Sequence, residues 1–322
     1  MRDIVRILVT GGAGFIGHNL ARMALAAGHE VRVLDDLSTG FRDNLDGLDV
    51  DLREASLLEE SAVGDAVRGM DSIIHLAALG SVPRSIQDPM RSHHANATGT
   101  LTLLDQARRH SVTHVVSASS SSVYGMNPAL PKGEREWVRP MSPYAVTKLA
   151  TEQYTLAYQQ SYGFETLAFR FFNVYGPGQR AGHAYAAVVP TWLDAILRGE
   201  PVWINGDGSN SRDFTYVETV CDVLLSAAAR RVHCDEPVNL AYGTNTSLLA
   251  LVEEIRSIAG TEFDVRFRAP RAGDVPHSQA ENVTLRNLFP EIVPFQLASG
   301  LEATYRWMRG VVAPESARHG GR

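Results

Sequence analysis

The stretch ILVTGGAGFIGHNLARMALAAG constrains this chain more than any other. An apolar strand pattern, Ile4–Thr10, runs into Gly11, Gly14 and Gly17, and a helical pattern follows from Phe15 to Gly28. Glycines spaced in this way let the backbone approach a pyrophosphate, and the free N–H groups at a helix start face such an anion. A second strand pattern, Glu30–Asp36, ends in Asp35 and Asp36. That is about 20 residues beyond the turn, where a ribose-binding acid is expected. Strand, glycine turn, helix, strand and acid together predict a dinucleotide-binding unit. Asp35 favours NAD over NADP, because a carboxylate repels a 2′-phosphate. Asp36 fits a cofactor contact and a solvated loop acid equally well, and Asp51 with Leu52 is expected to flank adenine.

The same alternation continues. Strand patterns at Ser72–Ala78, His114–Ser119 and Thr166–Gly176 are separated by helical patterns near Ala95–His110 and at Pro143–Tyr162. Strands separated by helices of ten or more residues imply parallel βαβ units, so the expected fold is α/β, a doubly wound parallel sheet of Rossmann type. Several strands are apolar at nearly every position, as a sheet covered on both faces requires. After Gly176 the pattern gives way to turns and short strands, which predicts a smaller α/β lobe for the substrate. The expected division is 1–176 for the NAD-binding domain, with a return segment about 213–242. Residues 177–212 and 243–313 form the second lobe, and 314–322 an unstructured tail, ending in the helix pattern Leu297–Arg309 before it.

Composition removes several function classes. A formal net charge of −6 supplies no basic face for nucleic acid. No segment approaches membrane-spanning length, and MRDIVRILVTGG lacks the apolar stretch of a signal peptide, so a cytoplasmic protein is expected. Two cysteines, Cys221 and Cys234, form no disulfide framework. His18, His75, His93 and His94 fall on different elements without ligand spacing, so no metal is expected.

SPYAVTK places Tyr144 and Lys148 four apart at a helix start, where the two share a face. An ammonium beside a phenol favours the phenolate, which suits a proton-transfer role, and the same ammonium can bond a cofactor ribose. Only Lys132 and Lys148 are lysines among the 30 basic residues, so a lysine in this chain is informative.

TGGAGFIG, HLAALGSVPRS, SSSSVYG, SPYAVTK, RFFNVYGPGQR, NGDGSNSRDFTYV and RAGDVP together resemble the extended short-chain dehydrogenase/reductase family, within it the nucleotide-sugar epimerases and dehydratases. The resemblance implies an NAD-binding lobe, a UDP-sugar-binding lobe and a homodimer formed through two helices per subunit. It adds Phe15, Ile16, Ala77, Ala78 and Asn96 to the cofactor contacts and Ser120 to the catalytic pair Tyr144 and Lys148. Asn173, Arg212, Arg271 and Asp274 match substrate-contacting positions, and Ser278 matches the position that gates sugar size, where a small residue admits bulkier sugars.

Within the family, the residues after Ser120 separate the reactions. Dehydratases carry an acidic pair there, because losing water across C5 and C6 needs a base at C5 and an acid at O6. Here those positions are Ser121 and Ser122, so 4-epimerisation through a transient 4-keto sugar is expected. Arg180 stands where UDP-glucuronate 4-epimerases carry an arginine facing the sugar carboxylate; an exposed loop arginine or a dimer contact is the equal alternative. With Ser121 or Ser122 it makes UDP-glucuronate the expected substrate, with UDP-N-acetylglucosamine, its uronate or UDP-glucose as alternatives. A non-catalytic dinucleotide-binding relative and a net keto-sugar reductase are the readings from other classes; the intact Tyr144, Lys148 and Ser120 argue against the first and Asp35 against an NADP-dependent form of the second.

Overall fold

The computed structural model describes residues 4–181, 187–270 and 275–319, with side chains described as far as Val311. Six strands alternate with helices in the first half: β1 Arg6–Thr10, β2 Glu30–Asp35, β3 Asp51–Glu54, β4 Ser72–His75, β5 His114–Ser120 and β6 Glu165–Phe171. The helices among them are α1 Phe15–Ala26, α2 Glu60–Val67, α3 Val82–Gln87, α4 Pro89–His93, α5 Gly99–Arg109 and α6 Pro143–Tyr162. Further on come β7 Asn173–Tyr175, α7 Val188–Leu197, β8 Val202–Asn205, β9 Ser211–Arg212, β10 Phe214–Tyr216, α8 Val217–Arg230 and β11 Val238–Leu240. The remainder is β12 Thr246–Ser247, α9 Leu248–Ala259, β13 Val265–Arg268, α10 Val283–Leu288 and α11 Leu297–His319. That last helix covers most of the span expected to be unstructured.

Seven strands form one sheet in the order β11-β6-β5-β4-β1-β2-β3, every neighbouring pair parallel. The order reverses between β1 and β4, and a crevice opens outside the carboxyl ends of strands at such a point. Near-continuous apolar strands follow from two buried faces. Ile7 and Val9 of β1, Ile74 of β4 and Val116 of β5 enter one core with α1 and α8. Leu8, Ile73 and Val115, their pleat neighbours, enter the other with α2, α5 and the end of α6.

The run expected as one strand, Thr166–Gly176, divides at Phe172. β6 stays in the sheet, while β7 leaves it to pair with β10. The chain then returns: α8 packs on α1, and β11 adds the seventh strand beside β6. Outside the sheet, β8 pairs with β13 and β9 with β12. The helix expected near Ala95 begins as a single π-helical turn, His94–Thr98, ahead of α5.

α6 carries most of the chemistry, and its start is fixed locally. Pro143 supplies the first helical φ, and the Ser142 hydroxyl accepts the Ala145 N–H at 3.1 Å. Tyr144 therefore sits in the first turn of a 20-residue helix that ends on Gly163 in left-handed conformation.

Candidate active site

The glycine turn is built by close approach. Gly11 has φ +73° and donates its N–H to the Leu34 carbonyl at 2.8 Å. A Cβ on Gly17 would lie 2.2 Å from the Gly11 carbonyl oxygen, so only glycine lets α1 begin against the turn. Asp35 at the end of β2 braces the same turn. Its carboxylate accepts the Ala13 N–H and the Leu37 N–H, each at 2.9 Å. Burial pushes this carboxyl above its ordinary range while those two N–H groups pull it down.

A cavity of about 370 Å³ opens at this edge. Gly11 and Gly14 form its floor, Asp35, Asp36 and Ser38–Gly40 one wall, and Leu76–Leu79 another. Glycines at a helix start, acids at the end of β2 and an apolar slot fit the adenosine and pyrophosphate of a dinucleotide. Phe15 and Ile16 head α1, where N–H groups precede the helix's own ladder.

Two sequence expectations are corrected here. Asp51 and Leu52 are not among the residues that line this cavity. Asp51 lies opposite Arg32 on the edge strand β3, held by Arg32 at 2.7 Å and Arg53 at 2.8 Å. On this side the cavity is lined by Ala55–Leu58, four residues later. Asn96 does not line the cavity either. Its buried amide accepts the Leu79 N–H at 2.7 Å and donates to Thr147 Oγ1 at 2.9 Å, tying the loop after β4 to α6. A buried chain missed in the sequence does similar work: Thr10, His75, Thr100 and Thr151 are hydrogen-bonded in series. Burial pushes the His75 imidazole down to about 3, so it stays neutral in this chain.

One strand over, β5 ends in the serine run. The Ser120 hydroxyl accepts both the N–H and the hydroxyl of Ser122, at 3.2 and 2.9 Å. Across from it, burial pushes the half-buried Tyr144 phenol up, and a hydrogen bond with Ser120 pulls it down. Lys148 is buried with its Nζ 2.8 Å from the Ala118 carbonyl, and burial pushes its ammonium down to about 8. The spacing of Tyr144 and Lys148 predicts the ammonium as the group that lowers the phenol; in this chain the lowering comes from Ser120. Ser121 is half-buried at the start of the 3₁₀ turn Ser121–Val123.

Toward the second lobe, Asn173 donates its backbone N–H to the Asp213 carbonyl at 3.2 Å and its amide to the same oxygen at 3.3 Å. Arg212 holds the carbonyls of Ser211 and Pro276, and Ser278 donates its backbone N–H to Ser211. The buried Asp213 carboxylate gathers the N–H groups of Gly243, Thr244 and Ala280, fixing these segments on one another. Arg271 and Asp274 lie outside the described residues. Arg180 pairs with both Asp43 oxygens at 2.8 Å and with Asn44 at 3.2 Å. Its guanidinium stands 4.0 Å over the Phe41 ring. Among the described residues no group of three or more His, Cys, Asp or Glu is placed to hold a metal, and no helix is long and apolar enough to cross a membrane.

Tyr144 and Lys148 on α6 and Ser120 at the end of β5 lie one strand over from the crevice, toward the carboxyl ends of the parallel strands. Residues 7–241 match the NAD dependent epimerase/dehydratase family. The UDP-glucose 4-epimerase of Mycolicibacterium smegmatis is 36% identical over 311 residues, covering 95% of this chain and 99% of the relative. The UDP-N-acetylglucosamine 4-epimerase of Methanobrevibacter ruminantium, solved with UDP-N-acetylmuramic acid, superposes with a TM-score of 0.91 at 33% identity, covering 96% of this chain and 99% of that one. MoeE5, solved with UDP-glucuronic acid and NAD, gives a TM-score of 0.84 at 31% identity, covering 95% and 99%. The chain belongs to the NAD-dependent epimerase/dehydratase family of extended short-chain dehydrogenases/reductases, on its nucleotide-sugar 4-epimerase side, with NAD as cofactor.

Proposed function

We propose that the protein interconverts UDP-sugars at C4, with a transient 4-keto sugar held in the site. The observation that carries this reading is the hydroxyl relay at the end of β5. Because Ser120 Oγ accepts both of its hydrogen bonds from Ser122, its own proton is left to donate toward the Tyr144 oxygen and the sugar O4. Tyr144 as the phenolate, the form that bond favours, takes the O4 proton and, as the phenol, returns it after the keto sugar has turned over. Bound NAD would supply the hydride acceptor for C4 and the hydride donor for the keto carbon. Lys148 would bond the nicotinamide ribose and hold positive charge beside the site. Neither Ser121 nor Ser122 can serve as the acid or base that loss of water across C5 and C6 needs at neutral pH.

For the sugar, the pairing of Arg180 with Asp43 favours a neutral C6, as in UDP-glucose or UDP-N-acetylglucosamine. The reading of Ser278 as a small gate residue supports room for a C2 substituent. UDP-glucuronate is the second reading. It rests on the presence of Arg180 and on the likeness to MoeE5, and it requires Arg180 to leave Asp43 for the carboxylate. A homodimer is proposed on exposed apolar side chains of two helices, Leu101 on α5 with Val146 and Tyr154 on α6. The test is a panel of UDP-sugars incubated with pure protein and followed by proton NMR, in which axial and equatorial H4 differ. New axial or equatorial H4 signals at constant mass support epimerisation; loss of water from any of them refutes it.

A further inference from the structure

Tyr144, Lys148 and Glu152 follow one another at intervals of four on α6, and each meets β5. Tyr144 meets Ser120, Lys148 bonds the Ala118 carbonyl, and Glu152 accepts the Ser119 hydroxyl at 2.9 Å. Ser119 also reaches the Lys148 carbonyl at 3.3 Å. From the far side Arg170, the cross-strand partner of Ser119 on β6, grips Glu152 bidentately at 2.9 and 2.7 Å. The two charged side chains are 4% and 0% exposed. Arg170 stands 4.7 Å over the ring of Tyr124, which follows the turn carrying Ser121 and Ser122, and donates to the Glu134 carbonyl at 3.0 Å.

Neither Glu152 nor Arg170 lines the dinucleotide cavity. A buried ion pair is costly to desolvate, and apolar replacements of similar volume are often as stable. What the pair does here is fix one helix face against one strand end at the place where reacting groups meet.

We propose that Glu152 and Arg170, acting through Ser119, are positioning residues that set the contact between the Ser120 hydroxyl and the Tyr144 phenol. The proposal rests on the 4-epimerase reading for its kinetics, and a spectroscopic measurement makes it testable apart from that reading. The experiment uses the NAD-loaded protein and the variants Glu152→Gln, Arg170→Lys and Ser119→Ala, the last removing one hydroxyl and little else. With UDP-glucose, kcat per NAD-loaded chain is expected to fall about 10- to 100-fold in the first two. In Ser119→Ala the fall is about 3- to 10-fold, and KM and bound NAD per chain stay within about twofold in all three. Ultraviolet difference titration against Tyr144→Phe follows ionisation of the Tyr144 phenol directly. Its midpoint is expected to move to higher pH in each variant, because the Ser120 hydrogen bond that favours the phenolate is loosened. Wild-type kcat and an unmoved midpoint in Ser119→Ala, with only thermal stability reduced in the other two, would overturn the proposal. Failure of the wild type to turn over any UDP-sugar would refute the epimerase reading, and the titration midpoint alone would then decide the clamp.

Discussion

Replacing Lys148 with methionine removes a buried charge while keeping most of the volume. The wild-type ammonium is pushed from 10.5 to about 8 by burial. The unfolded chain therefore binds a proton more readily than the folded one between those values, and stability must rise with pH across that window. At about 1.36 kcal/mol per tenfold change in proton affinity, the drop corresponds to about 3 kcal/mol. The cost of the ammonium is fully present below about pH 8 and vanishes as pH approaches 10.5. Lys148→Met has no such group. The difference in unfolding free energy, wild type minus variant, should climb by about 3 kcal/mol between pH 7 and 10.5. Urea melts of nucleotide-free protein at four pH values in that range measure it, and other titrating groups cancel in the difference. Turnover should fall by about two to four powers of ten in the same variant, because the ribose contact and the positive charge are both lost. A difference that stays flat with pH would show that the ammonium reaches water in the folded chain and is not held down by burial.

Ser122→Ala removes the hydroxyl donated to Ser120 and leaves the backbone N–H, so kcat should drop about 3- to 10-fold at nearly constant KM. Arg180→Ala separates the two sugar readings. If Arg180 serves Asp43, the variant loses NAD more readily and affects UDP-glucose and UDP-glucuronate alike; if it reads a carboxylate, UDP-glucuronate alone loses kcat/KM, by about 10-fold or more. Gly17→Ala puts a methyl 2.2 Å from the Gly11 carbonyl, which must displace the turn; the purified variant should carry little bound NAD, read by the nucleotide released on denaturation.

The parts of this molecule legible in the sequence are those written at local periods. The glycine turn, Tyr144 with Lys148 and the boundaries of α6 depend on residues within a few positions of one another, and backbone geometry converts such spacing directly into a shared face. The doubly wound sheet followed from strand and helix alternation for the same reason. What depended on register was hidden. Asp51 reads as an adenine contact in the sequence, whereas register on the edge strand β3 sets it beside Arg32 and outside the cavity lining. Arg180 meets Asp43 across 137 positions, and no spacing rule reaches that far. Glu152 and Arg170 were discoverable in part. A glutamate four past Lys148 repeats the stripe once more, and an arginine inside the apolar strand TLAFRFF needs a buried partner.

The direction of one hydrogen bond gives the serine run its meaning. A hydroxyl at position 122 donates into Ser120, which leaves the Ser120 proton for the phenol and the sugar oxygen. A carboxylate at 122 is an acceptor only, so it would take that proton and leave Ser120 nothing to give. The phenol would then lose the one interaction that lowers it against burial, and the carboxylate would instead stand ready for a proton on the sugar. Substituting an acid there changes two things together: it adds the group that elimination needs and removes the polarisation on which the return of hydride and proton at C4 depends. On this argument Ser122→Glu should lose 4-epimerisation more severely than Ser122→Ala, although both lack the same hydroxyl. Equal losses in the two variants would show that Ser122 acts on the sugar and not through Ser120.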